Sequence, residues 1–324
     1  SEPGQMVLRT DLPALALQDW PRPAGDNGRG MHFLRDQYFT EDQLHLNVAR
    51  LQQLGAKWVL VVYADENQLR RAAPVFAAAG ITPVWRKMLR PWEGYYAWER
   101  DIRIIESAGL PPYMQIYNEP ELPAEWEDFD GEVDDERFYR NLLQATQDVY
   151  NAGGYVGWQF VRTEALDQAI TRVQQANGSA VFGRMFFIPH PYGLNHPPNY
   201  TEDLNGALGF LFFADVFQRR IGFVPPMIAG EGGWKINADN DARFPRIDDA
   251  RHRDFHLEVF NWFRTGTLSN GQPLPDYFFA YCPWLIADAG DDNAWWDSFA
   301  GPRQATIDAV SQLPLFTRRF SWGE

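Results

Sequence analysis

With only one cysteine, Cys282, in 324 residues, the chain cannot build an intrachain disulfide framework, so its fold has to rest on apolar packing. No apolar run reaches the roughly 18 residues that a membrane-spanning helix needs, and membrane partners are not expected. Basic residues are outnumbered, 29 Lys and Arg against 43 Asp and Glu, for a net charge of -14. Such a surface repels phosphate backbones, and without a Lys/Arg-rich run or a base-stacking motif nucleic acid is excluded as a partner. No Gly-rich dinucleotide turn follows the first strand-like run, where Leu34-Arg35-Asp36-Gln37 stands instead. His32 is followed by Phe33-Leu34 rather than a second histidine, so the His-x-His of metal-dependent barrel hydrolases is missing, and neither metal nor cofactor is expected. The chain opens on Ser1 without a signal h-region, compatible with a removed or an absent leader; localisation stays open, with secretion favoured over the cytoplasm.

What is present is a regular alternation of short continuous apolar runs and longer amphipathic stretches, the pattern of parallel strands buried on both faces and covered by helices. Strands are expected at 29–34, 58–63, 81–87, 113–117, 155–160, 180–188, 224–230 and 276–284. Helices are expected at about 42–54, 66–79, 97–107, 134–152, 164–175, 202–219, 250–265 and 304–313. Thr40 and Thr163 read as N-caps, and Gly55 and Gly80 as stops. Eight βα units in a chain without linker, repeat or low-complexity segment predict a single-domain (β/α)8 barrel over 29–324, with 1–28 as an N-terminal extension packed on it.

In such a barrel the loops after the strands build the active site. Asn118-Glu119-Pro120 directly follows strand four, and Glu231 follows strand seven. Two strand-end glutamates on one rim form the carboxyl pair that glycosidic bond cleavage requires. Asn-Glu-Pro alone is also an ordinary helix-start tripeptide, Glu231 alone an ordinary loop carboxylate, and His32 reads as a barrel-interior residue. The acidic stretch after Glu119 (Glu121, Glu125, Glu127, Asp128, Asp130, Glu132, Asp134) does not fit a calcium loop and reads as solvated. Ala229-Gly230-Glu231-Gly232-Gly233 could instead be a phosphate loop, except that a glutamate at its centre is unsuited to an anion; a non-catalytic carbohydrate-binding barrel is a further alternative.

The strand-end pair resembles that of the clan A retaining glycoside hydrolases, barrels with Asn-Glu closing strand four and Glu closing strand seven. The resemblance implies Glu119 as acid/base, Glu231 as nucleophile and Asn118 as a partner of the sugar 2-hydroxyl. His190-Pro191-Tyr192 and Trp284 match the strand-six pair and strand-eight Trp of the family five cellulase and mannanase group, implying that Tyr192 orients the nucleophile and Trp284 floors the reacting sugar. The sequence departs from that group on strand two, which ends without Arg, and on strand three, which ends Trp85-Arg86-Lys87-Met88 without the family's His; Arg86 is a substitute cation beside Glu231. Trp126, Trp234, Trp295 and Trp296 are expected to face sugar. The expectation is a monomeric glycosidase for a neutral β-linked oligo- or polysaccharide, with endo action favoured over exo.

Overall fold

A computed structural model describes residues 4–127 and 132–323. Among them, eight parallel strands follow one another around a single sheet in chain order. They are β1 (Gly30–His32), β2 (Trp58–Tyr63), β3 (Thr82–Lys87), β4 (Tyr113–Ile116), β5 (Tyr155–Trp158), β6 (Met185–Phe187), β7 (Met227–Ala229) and β8 (Phe278–Tyr281). The ring closes between its ends, where Arg29 bridges Tyr281, Tyr281 N–H donates to Gly28 O and His32 N–H to Pro283 O, both at 2.9 Å. The eight principal helices are α1 (Glu41–Gln53), α2 (Glu66–Ala78), α3 (Trp98–Ser107), α4 (Asp135–Asn151), α5 (Thr163–Gln175), α6 (Phe210–Ile221), α7 (Asp249–Thr265) and α8 (Gln304–Ser311). The predicted (β/α)8 barrel is the fold, and no helix among the described residues is long and apolar enough to cross a membrane.

Period-two alternation sorts each strand into two cores. Leu60, Val62, Val84, Tyr113, Phe186, Ile188 and Ile228 fill the barrel interior. Val61, Trp85, Met114, Val156, Phe187 and Ala229 point outward and pack under the helices. At the end of the barrel where the strands begin, Trp20 packs on Tyr113 and Tyr155 at 6.0 and 4.9 Å, and Tyr113 donates to Pro21 O at 2.5 Å. Phe320 covers Phe279 beside it, with Trp322 stacked on Phe320 at 4.4 Å. Both chain ends therefore plug the floor, leaving the opposite rim open for a site.

Strands one, five, seven and eight are shorter than the expected ranges, and three further points differ from the sequence reading. Strand six is confined to Met185–Phe187, because Ser179–Arg184 forms a 3-10 helix in which Gly183 receives the N-terminal segment: Leu15 N–H donates to Gly183 O at 2.9 Å, and a side chain there would collide with Ala14. Helix six starts at Phe210 rather than near 202; at Gly209 the chain folds back so tightly that a Cβ would lie 2.0 Å from Leu204 O. Thr163 is the first helical residue of α5 and caps nothing. Thr40 does cap α1, in a reciprocal pair with Gln43, whose own N–H it binds at 3.2 Å while Gln43 Oε1 accepts from Thr40 N–H at 2.8 Å.

Candidate active site

Two non-glycine residues in the left-handed region, Tyr117 at φ 56° and Glu119 at φ 41°, flank Asn118 just beyond β4. Each such residue costs on the order of 1–2 kcal/mol, so the turn survives only where its surroundings hold it. They do: Glu119 N–H donates to Gln159 Oε1 at 2.5 Å, Tyr117 Oη to Glu93 O at 2.6 Å, and Gln115 Nε2 to Tyr117 O at 2.9 Å. The consequence is a Glu119 side chain turned into the barrel mouth, a quarter exposed.

Glu231 follows β7, where Gly232 (φ 143°) and Gly233 (φ 88°) adopt angles closed to most side chains. These glycines serve close stitching between loops. Gly233 N–H donates to Pro191 O at 3.2 Å, Gly193 N–H to Gly233 O at 2.9 Å and Trp284 N–H to Gly232 O at 3.0 Å. With the Gly233 amide committed to Pro191 and a buried carboxylate at its centre, the segment is unsuited to cradling a phosphate.

His190 joins the two carboxylates. Its Nδ1 lies 3.0 Å from Glu119 Oε1 and its Nε2 3.7 Å from Glu231 Oε2. One carboxylate oxygen of each glutamate and a ring nitrogen of His190 all fall within 4.8 Å of one another. Tyr192 donates its phenol to Glu231 Oε1 at 2.6 Å, and Arg86 Nη1 stands 3.9 Å from Glu231 Oε2. Burial alone would raise the Glu231 carboxyl, but His190, His32, Arg86 and the Tyr192 hydroxyl outweigh it and hold the group below its ordinary value. For His190, burial opposes the charged form, yet Glu231 and Glu119 together raise its pKa. His32, fully buried, is pushed down to about 4 by burial despite Glu231, so it is neutral at pH 7. Deep in the mouth, then, a carboxylate is kept ionised beside a cation, and a second, more exposed carboxyl shares its imidazole.

A cavity of about 260 Å³ encloses this pair, lined among others by Asn118, Glu125, Arg86, His32 and Trp284. Seven of the expected residues, Asn118, Glu119, Arg86, His190, Tyr192, Glu231 and Trp284, are thus gathered around one opening. The Trp284 ring stands 4.5 Å from His32, its Nε1 donates to Asp291 at 2.9 Å, and the Trp284–Leu285 peptide is cis. Three of the other four tryptophans are a correction. Trp126 is fully buried against Trp92, with its indole donating to Pro120 O at 2.8 Å. Trp234 is buried on Phe255 and His256 and donates to His196 O at 2.7 Å. Trp295 is buried against His252 and His256, and Trp296 lies under the Arg50 guanidinium of α1, 5.3 Å away. Trp126, Trp234 and Trp295 are buried loop anchors, whereas Trp296 is only partly buried.

The acidic stretch also departs from expectation, although Asp128 and Asp130 lie outside the described residues. Glu121 is half-buried rather than solvated: its Oε2 accepts from Val161 N–H at 2.6 Å and Arg162 N–H at 2.8 Å, and burial pushes the carboxyl up to about 7 against those donors. Glu125 reaches the cavity, accepting from Asn118 Nδ2 at 3.3 Å while pairing with Arg90 at 2.9 Å. Gln159, Glu125, Arg35 and Met88 are site residues that sequence reading passed over. Gln159, directly after β5, and Met88, directly after β3, carried a positional signal at the same rim.

No protein-family model matches this chain, and no curated protein does. Solved structures do. A monomeric β-xylosidase from Caulobacter crescentus CB15 matches at TM-score 0.56 and 13% identity, over 90% of this chain and 69% of that one. A β-glucuronidase from Parabacteroides merdae matches at TM-score 0.51 and 11% identity, over 90% of this chain but only 38% of its own. At these identities the likeness concerns fold: the chain is a single (β/α)8 barrel similar to those of glycoside hydrolases.

Proposed function

We propose that this barrel is a retaining β-glycoside hydrolase of clan A type. The observation that carries the reading is the separation of the carboxyl pair, with oxygens of Glu119 and Glu231 inside 4.8 Å. Retaining enzymes hold their carboxyl groups about 5–5.5 Å apart, whereas inverting ones need about 6.5–9.5 Å to admit a water. Glu119 donates its proton to the glycosidic oxygen as Glu231 attacks the anomeric carbon, and the C–O bond to the leaving group breaks. Glu119, now ionised, takes a proton from water, whose oxygen attacks the same carbon and releases Glu231. Tyr192 and Arg86 hold the nucleophile ionised and turned, Asn118 meets the 2-hydroxyl, and Trp284 offers an apolar face to the ring.

Within the clan, the His190–Tyr192 pair and Trp284 keep the family five pattern as the working assignment, with Arg86 as cation. The substrate in this reading is a neutral β-linked oligo- or polysaccharide, cleaved internally by a monomer. The neighbours' names, a xylosidase and a glucuronidase, support a β-glycoside. Proton NMR of the first product from an aryl β-glycoside should show the β-anomer before mutarotation. An initial α-anomer, or undiminished turnover by Glu231→Gln, would overturn the proposal.

A further inference from the structure

We infer that Glu121 is a positioning residue for proton transfer: its carboxyl staples the turn that begins at Glu119 to the loop after β5, and so aims the acid/base carboxyl at the oxygen of the bond being cleaved. This rests on the glycosidase reading above and adds a residue that acts only through Glu119.

Beyond Asn118 the chain does not continue as a free loop. Leu122 N–H donates to Glu119 O at 3.0 Å, closing a four-residue turn over 119–122, and Pro120 takes the second position, where its fixed φ fits. Glu119 is the first residue of this turn and Glu121 the third, so neither backbone shifts without the other. Pro120 O is held between them by the buried Trp126 indole at 2.8 Å. From the third position Glu121 reaches the β5 loop, where its Oε2 accepts from Val161 N–H at 2.6 Å and Arg162 N–H at 2.8 Å. A return contact runs the other way, from Glu119 N–H to Gln159 Oε1 at 2.5 Å.

The two arms join the same stretches of chain, 119–121 and 159–162, and their action is joint. Glu119 sits at φ 41°, a conformation that a non-glycine residue keeps only while its surroundings hold it. The Gln159 bond fixes where the Glu119 amide lies, but a single point of attachment leaves the turn free to swing about it. Glu121, anchored two residues further on, removes that rotation. Its other oxygen, Oε1, is buried and makes no hydrogen bond among the described residues, so the staple uses one oxygen alone. A glutamine amide oxygen would accept the same two N–H groups, whereas alanine would accept neither.

Aim matters because a general acid works only within about 2.6–3.2 Å of the atom it protonates, and a misplacement of about 1 Å can cost about 100-fold. A leaving group that departs without a proton does not feel the loss. That difference separates a residue that aims Glu119 from one that merely stabilises the fold.

The test measures kcat/KM on phenyl and 2,4-dinitrophenyl β-glycosides, in whichever gluco, xylo or manno disaccharide series the intact parent chain hydrolyses fastest. Glu121→Ala should lose about 100-fold on the phenyl glycoside and less than about threefold on the dinitrophenyl one. Its kcat on the dinitrophenyl glycoside, limited by a water that Glu119 no longer deprotonates well, should rise with added azide. Azide attacks the anomeric carbon of the glycosyl-enzyme without needing a base, the bond to Glu231 breaks with its electron pair returning to the carboxylate, and the β-glycosyl azide forms. Glu121→Gln should restore the phenyl rate to within about threefold of the parent. Gln159→Ala, which cuts the other arm, should show the same split between leaving groups, and it carries the test if a thermal melt shows Glu121→Ala unfolded. An equal loss on both leaving groups, or no loss on the phenyl glycoside, would overturn the positioning role while leaving the reaction type intact. A parent inactive on every aryl glycoside would instead overturn the underlying reading, and the role with it.

Discussion

Replacing Tyr192 with Phe removes one oxygen atom, and the structure says where its loss is felt. That hydroxyl donates to Glu231 Oε1 at 2.6 Å in a buried setting. A hydrogen bond to an ionised partner contributes about 1.5–3 kcal/mol. Glu231 keeps His190, His32 and Arg86 in the variant, so the lower end applies, and 1.36 kcal/mol per pH unit converts it to about one unit. The sign follows from the state required. In the proposed mechanism Glu231 must be ionised to attack; its carboxyl is held below the ordinary value, and removing a donor raises it. The acid limb of kcat/KM against pH should therefore move upward by about one unit. In the proposed mechanism the phenol also stabilises Glu231 as it leaves the glycosyl-enzyme, so kcat at the optimum should fall by roughly tenfold, with a burst of nitrophenol. Pre-steady-state turnover and pH profiles on an aryl glycoside measure both, and a thermal melt of the variant checks that it folds. An acid limb that stays put or moves down would refute the role given to Tyr192.

Other outcomes can be checked alongside. Glu121 is pushed up to about 7 by burial, so its favourable contribution is complete below the unfolded value of 4.5 and lost as pH rises through 7. Glu121→Gln should consequently be more stable than the parent at pH 8, by up to ~3 kcal/mol, with the gap closing by pH 4.5 in urea titrations. His32 and His256 are depressed to about 4 by burial, so the stability they contribute is complete above 6.5 and is lost as pH falls toward 4. At up to ~3 kcal/mol each they exceed the opposing Glu121 gain, and the parent's urea midpoint should drop between pH 7 and 4; a flat profile would refute this. Gly157→Ala should cost ~1–3 kcal/mol or more, because its Cβ would lie 2.6 Å from the Met114 carbonyl oxygen and 2.5 Å from Phe186 inside the barrel; an unchanged melting temperature would show the interior is looser.

The barrel was legible because its strands are continuous apolar runs: Trp58–Tyr63 is buried at every position and was bounded correctly from sequence. The placement of Glu119 and Glu231 followed from strand count alone. Where reading failed at strand six, the deciding contact was distant in sequence. Residues 180–184 are as apolar as a strand, yet the N-terminal segment pairs with Gly183 and winds them into a 3-10 turn. The Gly206 and Gly209 pair was a visible sign that helix six starts late. Trp126, Trp234 and Trp295 sit in loops, where an aromatic ring serves equally to stack on a ligand or to pin the loop. Only the indole partners, Pro120 O for Trp126 and His196 O for Trp234, separate the two. Glu121 went unread for the same reason, since its partners lie 40 residues on.

The imidazole of His190 lies 3.7 Å from Glu231 Oε2, and each group shifts the other, so the site does not own two independent proton equilibria there. A pH–rate limb set by either describes the His190–Glu231 pair rather than one member. A limb attributed to Glu231 alone from its own mutation would thus be misassigned. Substituting His190 removes a group that lowers the Glu231 carboxyl, so the limb it sets should move upward.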